Sequence, residues 1–257
     1  LSVDPLQAKY ASLSSYNFTA NNPIIFIDQD GRDFRYSVTV SNSGPIVVNI
    51  ETTIHLYGKD ASLVDQSDYT QNRLTTVKIY NEITGKIETR TVIVKITVKF
   101  VVEKSKEDAE AAVIANPGDN MMEVDKSLNL SKEGENYLKV PEMAQQGGTN
   151  AKVNDPDNRE AIVHGVLHNI GLGDRYGHNE DAAPVPDLGF NNTVMATSSS
   201  STNLHEVNVN DLANYVLKLT DAKSTIGSKF HHGKIDETPS RIGEVTPVNY
   251  SRIANRQ

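Results

Sequence analysis

From residue 34 onward, alternating and branched apolar runs are separated by turn residues. YSVTV, followed after Ser43-Gly44-Pro45 by IVVNIETTIHL, predicts two strands joined by a turn within 34–57. Asp60 then precedes ASLVDQSDYTQNRLTTVKIY, where Leu63, Tyr69, Leu74 and Val77 lie among the apolar positions and predict a helix capped by Asp60. Ile83-Thr84-Gly85-Lys86-Ile87 reads as a hairpin turn. It leads into RTVIVKITVKFVVE, a long strand of branched residues with Lys95 and Lys99 on a solvent face. A helical or loop segment near 109–115 precedes a further short strand in NMMEVD. In VNDPDNREAIVHGVLHNIGLGDRYGHNED, Asp155 is a good N-cap, Pro156 fits the first helical position and Asp157 suits the positive end of the helix dipole. Gly171 supplies the left-handed residue that ends this helix. A closing helix is expected over about 208–219, and residues 225–257 read as an irregular tail, mobile or laid across the domain as a plug. The succession predicts an α+β domain with a mixed, twisted sheet.

Composition narrows the functions such a domain can have. The 257 residues suffice for one substantial domain with an appendage, or for two modest ones, and a hydrophobic content of 37% supports an ordinary core. A net charge of -8, with no Lys/Arg-rich run, argues against nucleic acid as a target. The absence of Cys removes disulfides, thiolate ligands and cysteine nucleophiles together, so any metal must be held by His, Asp or Glu. No stretch approaches the roughly 20 apolar residues of a membrane helix, so no membrane span is expected. LSVDPLQAKY lacks the basic-then-apolar order of a signal peptide, and a chain opening without Met suits a fragment of something longer.

The chemistry is concentrated in one stretch. His164 and His168 are four apart on the predicted helix, which places both imidazoles on one face, one turn apart, where they can share an ion. A reversal at Gly171 brings Asp174 toward the same ion as a third ligand and leaves a fourth position for water, the arrangement of catalytic zinc.

His164, His168, Gly171 and Asp174 resemble the Asp-ended form of the metzincin motif H-E-x-x-H-x-x-G-x-x-H/D. Downstream, NNTVMATSSSSTNLHEVNVNDLANYVLKL resembles a Met-turn with its closing helix. The resemblance implies a zincin-like fold over 34–224, one zinc, and Met195 beneath the metal as a hydrophobic floor. It also implies a protein or peptide substrate. In that family a Glu follows the first His and activates water as general base; here the position is Gly165, which has no group to accept a proton. The resemblance therefore implies a zinc metallopeptidase as the parent activity, catalytically impaired in this chain. Two origins compete: a natural relic or binding domain, and an active enzyme altered in this copy. The alternative function is a metal-stabilised binding or structural domain without catalysis.

A second resemblance lies in residues 1–33. Asp4-Pro5-Leu6, the segment running to Asn21-Asn22-Pro23-Ile24, and Asp28-Gln29-Asp30-Gly31 resemble the end of an Rhs-type repeat core, with Gln29 where the family usually has Pro. That family carries a variable C-terminal effector, commonly a toxin, beyond this boundary. The resemblance implies a payload secreted or delivered into a target cell by a bacterial secretion system and opposed by a cognate immunity protein. The Gln29 departure puts self-cleavage and release of the payload in question.

Other residues complete the reading. Glu160, one turn before His164, is a weaker substitute acid, and His178 an alternative third ligand. Tyr176 lines the site or packs over the turn. His55 is expected on a strand, His205 in an exposed loop, and His231 with His232 as a surface pair in the tail.

Overall fold

A computed structural model describes residues 34–40, 44–81, 86–130, 142–144, 149–174, 176–178, 184–186, 189–196, 201–223 and 227–233. Residues 1–33, expected to be the end of an Rhs-type core, and the last part of the expected tail, 234–257, lie outside the described residues.

The chain forms an α+β structure around a mixed sheet of eight strands. Its centre is β2 (Ile46–Tyr57), where alternating Ile46, Val48, Ile50, Ile54 and Leu56 are buried on one face. Along one edge β2 pairs in parallel with β4 (Lys86–Val102), from Ile46↔Val92 to Leu56↔Val102. Its other edge is shared end to end. β1 (Phe34–Thr39) runs antiparallel to the first half, and β5 (Asn120–Val124) runs parallel to the last four residues. The sheet therefore forks. β5 continues through the parallel β7 (Asn150–Val153) to the antiparallel edge strand β6 (Glu142–Ala144).

One expected helix is a strand. After a single 3-10 turn at Ala61–Leu63, the chain extends as β3 (Tyr69–Asn81), which pairs with β4 over its whole length. The burial has period two: Tyr69, Thr75, Val77 and Ile79 are buried, whereas Leu63 and Leu74 are 52% and 66% exposed. The residues that are buried here follow alternation, not helical spacing. Thr70, Thr75, Thr76, Val77 and Ile79 are β-branched, and an antiparallel partner rewards that stiffness. The pairing Asn81↔Lys86 agrees with the expected hairpin, whose turn at 82–85 lies outside the described residues.

Helix α1 (Lys106–Ala115) begins at Ser105, whose side chain accepts a hydrogen bond from the Asp108 N–H. Its Ala109 packs with Tyr57 and Met121, apart from the main core. Helices α2 (Arg159–Asn169) and α3 (Glu206–Lys223) contribute Ile162, Val163, Val166, Leu167, Leu212 and Val216 to the main core, together with the buried side of β2. The expected strand in NMMEVD is β5, and the expected closing helix is α3, longer at both ends.

Two further expectations change. Asp155 does not cap α2. Its carboxylate instead accepts from the Asp157 N–H and its carbonyl from the Asn158 N–H, which shapes a turn. The cap is Asn158, whose side chain accepts from the Ala161 N–H at 2.9 Å. Within the expected irregular tail, β10 (Gly227–Gly233) pairs antiparallel with β1 and places His231 and His232 opposite Tyr36 and Arg35. No helix among the described residues is long and apolar enough to cross a membrane.

Candidate metal centre

Helix α2 is buried from Ala161 through Asn169, an unusual environment for two imidazoles. His164 and His168 are 8% and 6% exposed, and their Nε2 atoms stand 2.8 Å apart. Asp174 Oδ1 lies 3.1 Å from each of them. His164, His168 and Asp174 are the one group among the described residues whose ligand atoms converge in the manner of a metal site.

The turn after α2 brings Asp174 back. Gly171 has φ 99, in the left-handed region where a side chain is strained. The Gly171 N–H donates to the His168 carbonyl, and the Leu172 N–H donates to the Leu167 carbonyl. This pair of bonds is a Schellman termination. It also turns the Leu172 carbonyl toward His168, whose Nδ1 donates to it at 2.8 Å.

His164 is oriented from a different part of the chain. Its Nδ1 donates to the Val194 carbonyl at 2.7 Å. A carbonyl can only accept, so both rings carry the proton on Nδ1 when neutral and present bare Nε2 lone pairs to each other and to Asp174. Three electron-rich atoms facing one point repel unless a cation lies between them or a ring takes up a second proton. Imidazoles fixed by backbone carbonyls behind them are the usual outer support of metal-bound histidine.

Burial opposes charge on Asp174, but a ring that takes up a second proton donates to it from Nε2, and hydrogen bonding from His164 and His168 in that state outweighs burial and holds the carboxyl far below the ordinary carboxylate range. The acid is thus ionised and available as a ligand. Position 165 offers only a glycine backbone, buried in the helix between the two histidines. Glu160 lies in the first turn of α2 and is not a member of the converging group.

The other expected residues are distributed around this centre. Met195 is fully buried, one residue beyond the carbonyl that orients His164. Tyr176 and His178 lie on β8 (Tyr176–His178), opposite Pro186 and Pro184 of β9 (Pro184–Pro186). His205 is not an exposed loop residue. Its ring packs on Phe190 with centroids 4.0 Å apart, and its Nδ1 accepts from the Val207 N–H at the start of α3.

His55 lies on β2 as expected, but within a polar network that sequence reasoning missed. Its Nδ1 is 2.8 Å from Glu103 and its Nε2 is 3.4 Å from Asp119, which also pairs with Arg35 at 2.6 Å. Asp119 further accepts from the Thr53 N–H. These residues come from β1, β2, the end of β4 and the turn before β5, so they meet at the fork of the sheet. Hydrogen bonding to Asp119, reinforced by Glu103, raises the His55 pKa against the opposing effect of burial.

Compared with known proteins, the chain matches no family model, no curated protein and no solved structure.

Proposed function

We propose that this chain is a zinc-binding domain of the metallopeptidase type whose hydrolytic power is impaired by Gly165. The observation that carries the reading is the convergence of two Nδ1-protonated imidazoles and one ionised carboxylate on a single point inside the fold. The donor set is that of zinc: two imidazoles, one carboxylate and no thiolate. Ligand atoms ~2.0 Å from a tetrahedral zinc lie roughly 3.3 Å from one another. The observed spacings of 2.8 to 3.1 Å are a few tenths of an ångström tighter, within reach of small side-chain rotations.

His164, His168 and Asp174 would hold the ion, with Met195 as the apolar floor. Zinc supplies a Lewis acid that polarises a peptide carbonyl and acidifies water. The protein's own part in hydrolysis is to orient the ligands, exclude bulk water and provide a proton acceptor beside the site. The first two follow from burial and from the Leu172 and Val194 carbonyls. The third has no side chain at position 165 to perform it, which is why the chain as written is a poor catalyst.

The resemblance of 1–33 to the end of an Rhs core supports the biological setting: a secreted payload acting on protein in a target cell and countered by an immunity protein. The glycine at 165 favours a second reading, a metal-stabilised binding domain without catalysis. Zinc uptake followed by peptide hydrolysis, measured for the chain beside Gly165→Glu, separates the two. Activity confined to the Glu variant supports the impaired peptidase. Zinc binding with neither form active supports the binding domain, and no zinc in either refutes both.

A further inference from the structure

The carbonyl that orients His164 belongs to an irregular segment, so something else must hold it in place. Three hydrogen bonds do so in series. The Tyr69 hydroxyl, at the start of β3, donates to the Thr202 carbonyl at 2.8 Å. The next carbonyl, that of Asn203, accepts from the Val194 N–H at 2.9 Å. The Val194 carbonyl then accepts from His164 Nδ1 at 2.7 Å. Ser201 Oγ accepts from the Asn203 N–H and braces the same peptide. Leu204, which follows the segment's half-buried Ser201 and Thr202 and exposed Asn203, is buried, as is Val194, so the segment is anchored at its Leu204 end.

We infer that Tyr69 is a positioning residue for the metal centre: it fixes the 201–203 segment, which fixes Val194, which sets the ring angle of His164. Tyr69 is 5% exposed, and burial pushes its phenol pKa well up, so the hydroxyl stays a donor at any working pH. A hydroxyl buried for packing alone needs any acceptor. This one has the carbonyl beside the peptide that supports a ligand's orienting group. The inference rests on the metal reading above and adds a residue more than ninety positions before the first ligand, on a different element.

Tyr69→Phe keeps the ring and removes the bond. Zinc affinity, measured by competition with a chromophoric chelator, is expected to fall about three- to tenfold, less than the 10- to 100-fold typical of a partner touching the ligand directly. The absorption spectrum of the cobalt(II)-substituted protein should change with it. Asn210→Ala is the control. Asn210 bonds Thr75 and Thr76 of the same strand, so its loss weakens β3 without touching the series and should leave zinc affinity unchanged. Ser201→Ala, nearer the surface, should lower affinity by a smaller factor and carries the test if Tyr69→Phe does not fold.

Tyr69→Phe at wild-type affinity, or an equal loss in Asn210→Ala, overturns the inference. So does unchanged affinity in Ser201→Ala should Tyr69→Phe fail to fold. A wild-type chain that takes up no zinc overturns the metal reading itself, and the inference with it.

Discussion

The proposed chemistry turns on position 165. A glycine inside a helix costs about 1 kcal/mol relative to alanine, yet here it stands between two buried histidines that converge on one point. General bases contribute typically 100- to 10,000-fold to a reaction rate, so Gly165→Glu is expected to raise peptidase kcat/KM by about that range. Gly165→Ala serves as its partner. It restores a helix-favouring residue but no proton acceptor, and hydrolysis of a fluorogenic peptide library should remain at background. Equal activity in the Ala and Glu variants would show that no side-chain base is needed at 165.

At the element scale, the geometry depends on how α2 starts and stops. Asn158 satisfies an N–H of the first turn, and Asn158→Ala is expected to cost about 1 kcal/mol in chemical denaturation with little effect on metal affinity. Gly171→Ala should act differently. The residue sits at φ 99 and shapes the turn that delivers both the Leu172 carbonyl and Asp174. Replacement should lower thermal stability and metal affinity together, as followed by melting with and without zinc. A loss of stability with unchanged affinity would separate the turn from the centre.

These two elements also show what a sequence can disclose. His164, His168, Gly171 and Asp174 lie within eleven positions, and helical spacing plus one left-handed residue is enough to bring them together. The N-cap lies three residues beyond the expected Asp155 because Asp155 and Asn158 are both competent caps, and only the turn between them decides. β3 is a strand and not the expected helix for a related reason. Its apolar residues satisfy a loose helical count, and the long antiparallel pairing with β4 that selects the extended form is not a local property. The Val194 carbonyl and the Tyr69 hydroxyl leave no local signal, since each acquires its role from a segment far away in the chain.

For the whole molecule, the fork of the sheet is the place where distant segments are fastened by charge. Arg35, Asp119, His55 and Glu103 join β1, β2, β4 and the turn before β5. None of the four is a partner that spacing would suggest. The raised pKa of His55 means that its imidazolium stabilises the fold fully below the ordinary value of 6.5, and that this contribution is lost as pH rises through the folded pKa. For Asp119, burial opposes ionisation but His55 and Arg35 outweigh it and lower the pKa. Its contribution is therefore present above the ordinary 3.8 and lost as pH falls through the folded value. Metal-free protein should thus have a higher urea midpoint at about pH 6 than at about pH 8.5, and His55→Gln should flatten that difference. An unchanged slope in His55→Gln would assign the pH dependence to other groups.

The proposed function requires that the fold build a site for one zinc ion. Its most direct test is the zinc content of the purified chain after equilibration with excess zinc and removal of free metal, measured by elemental analysis beside His164→Ala and Asp174→Ala. One zinc per chain is expected in the wild type, none retained in His164→Ala and strongly weakened retention in Asp174→Ala. A wild-type chain that holds no zinc, or that holds it equally well without His164, would contradict it.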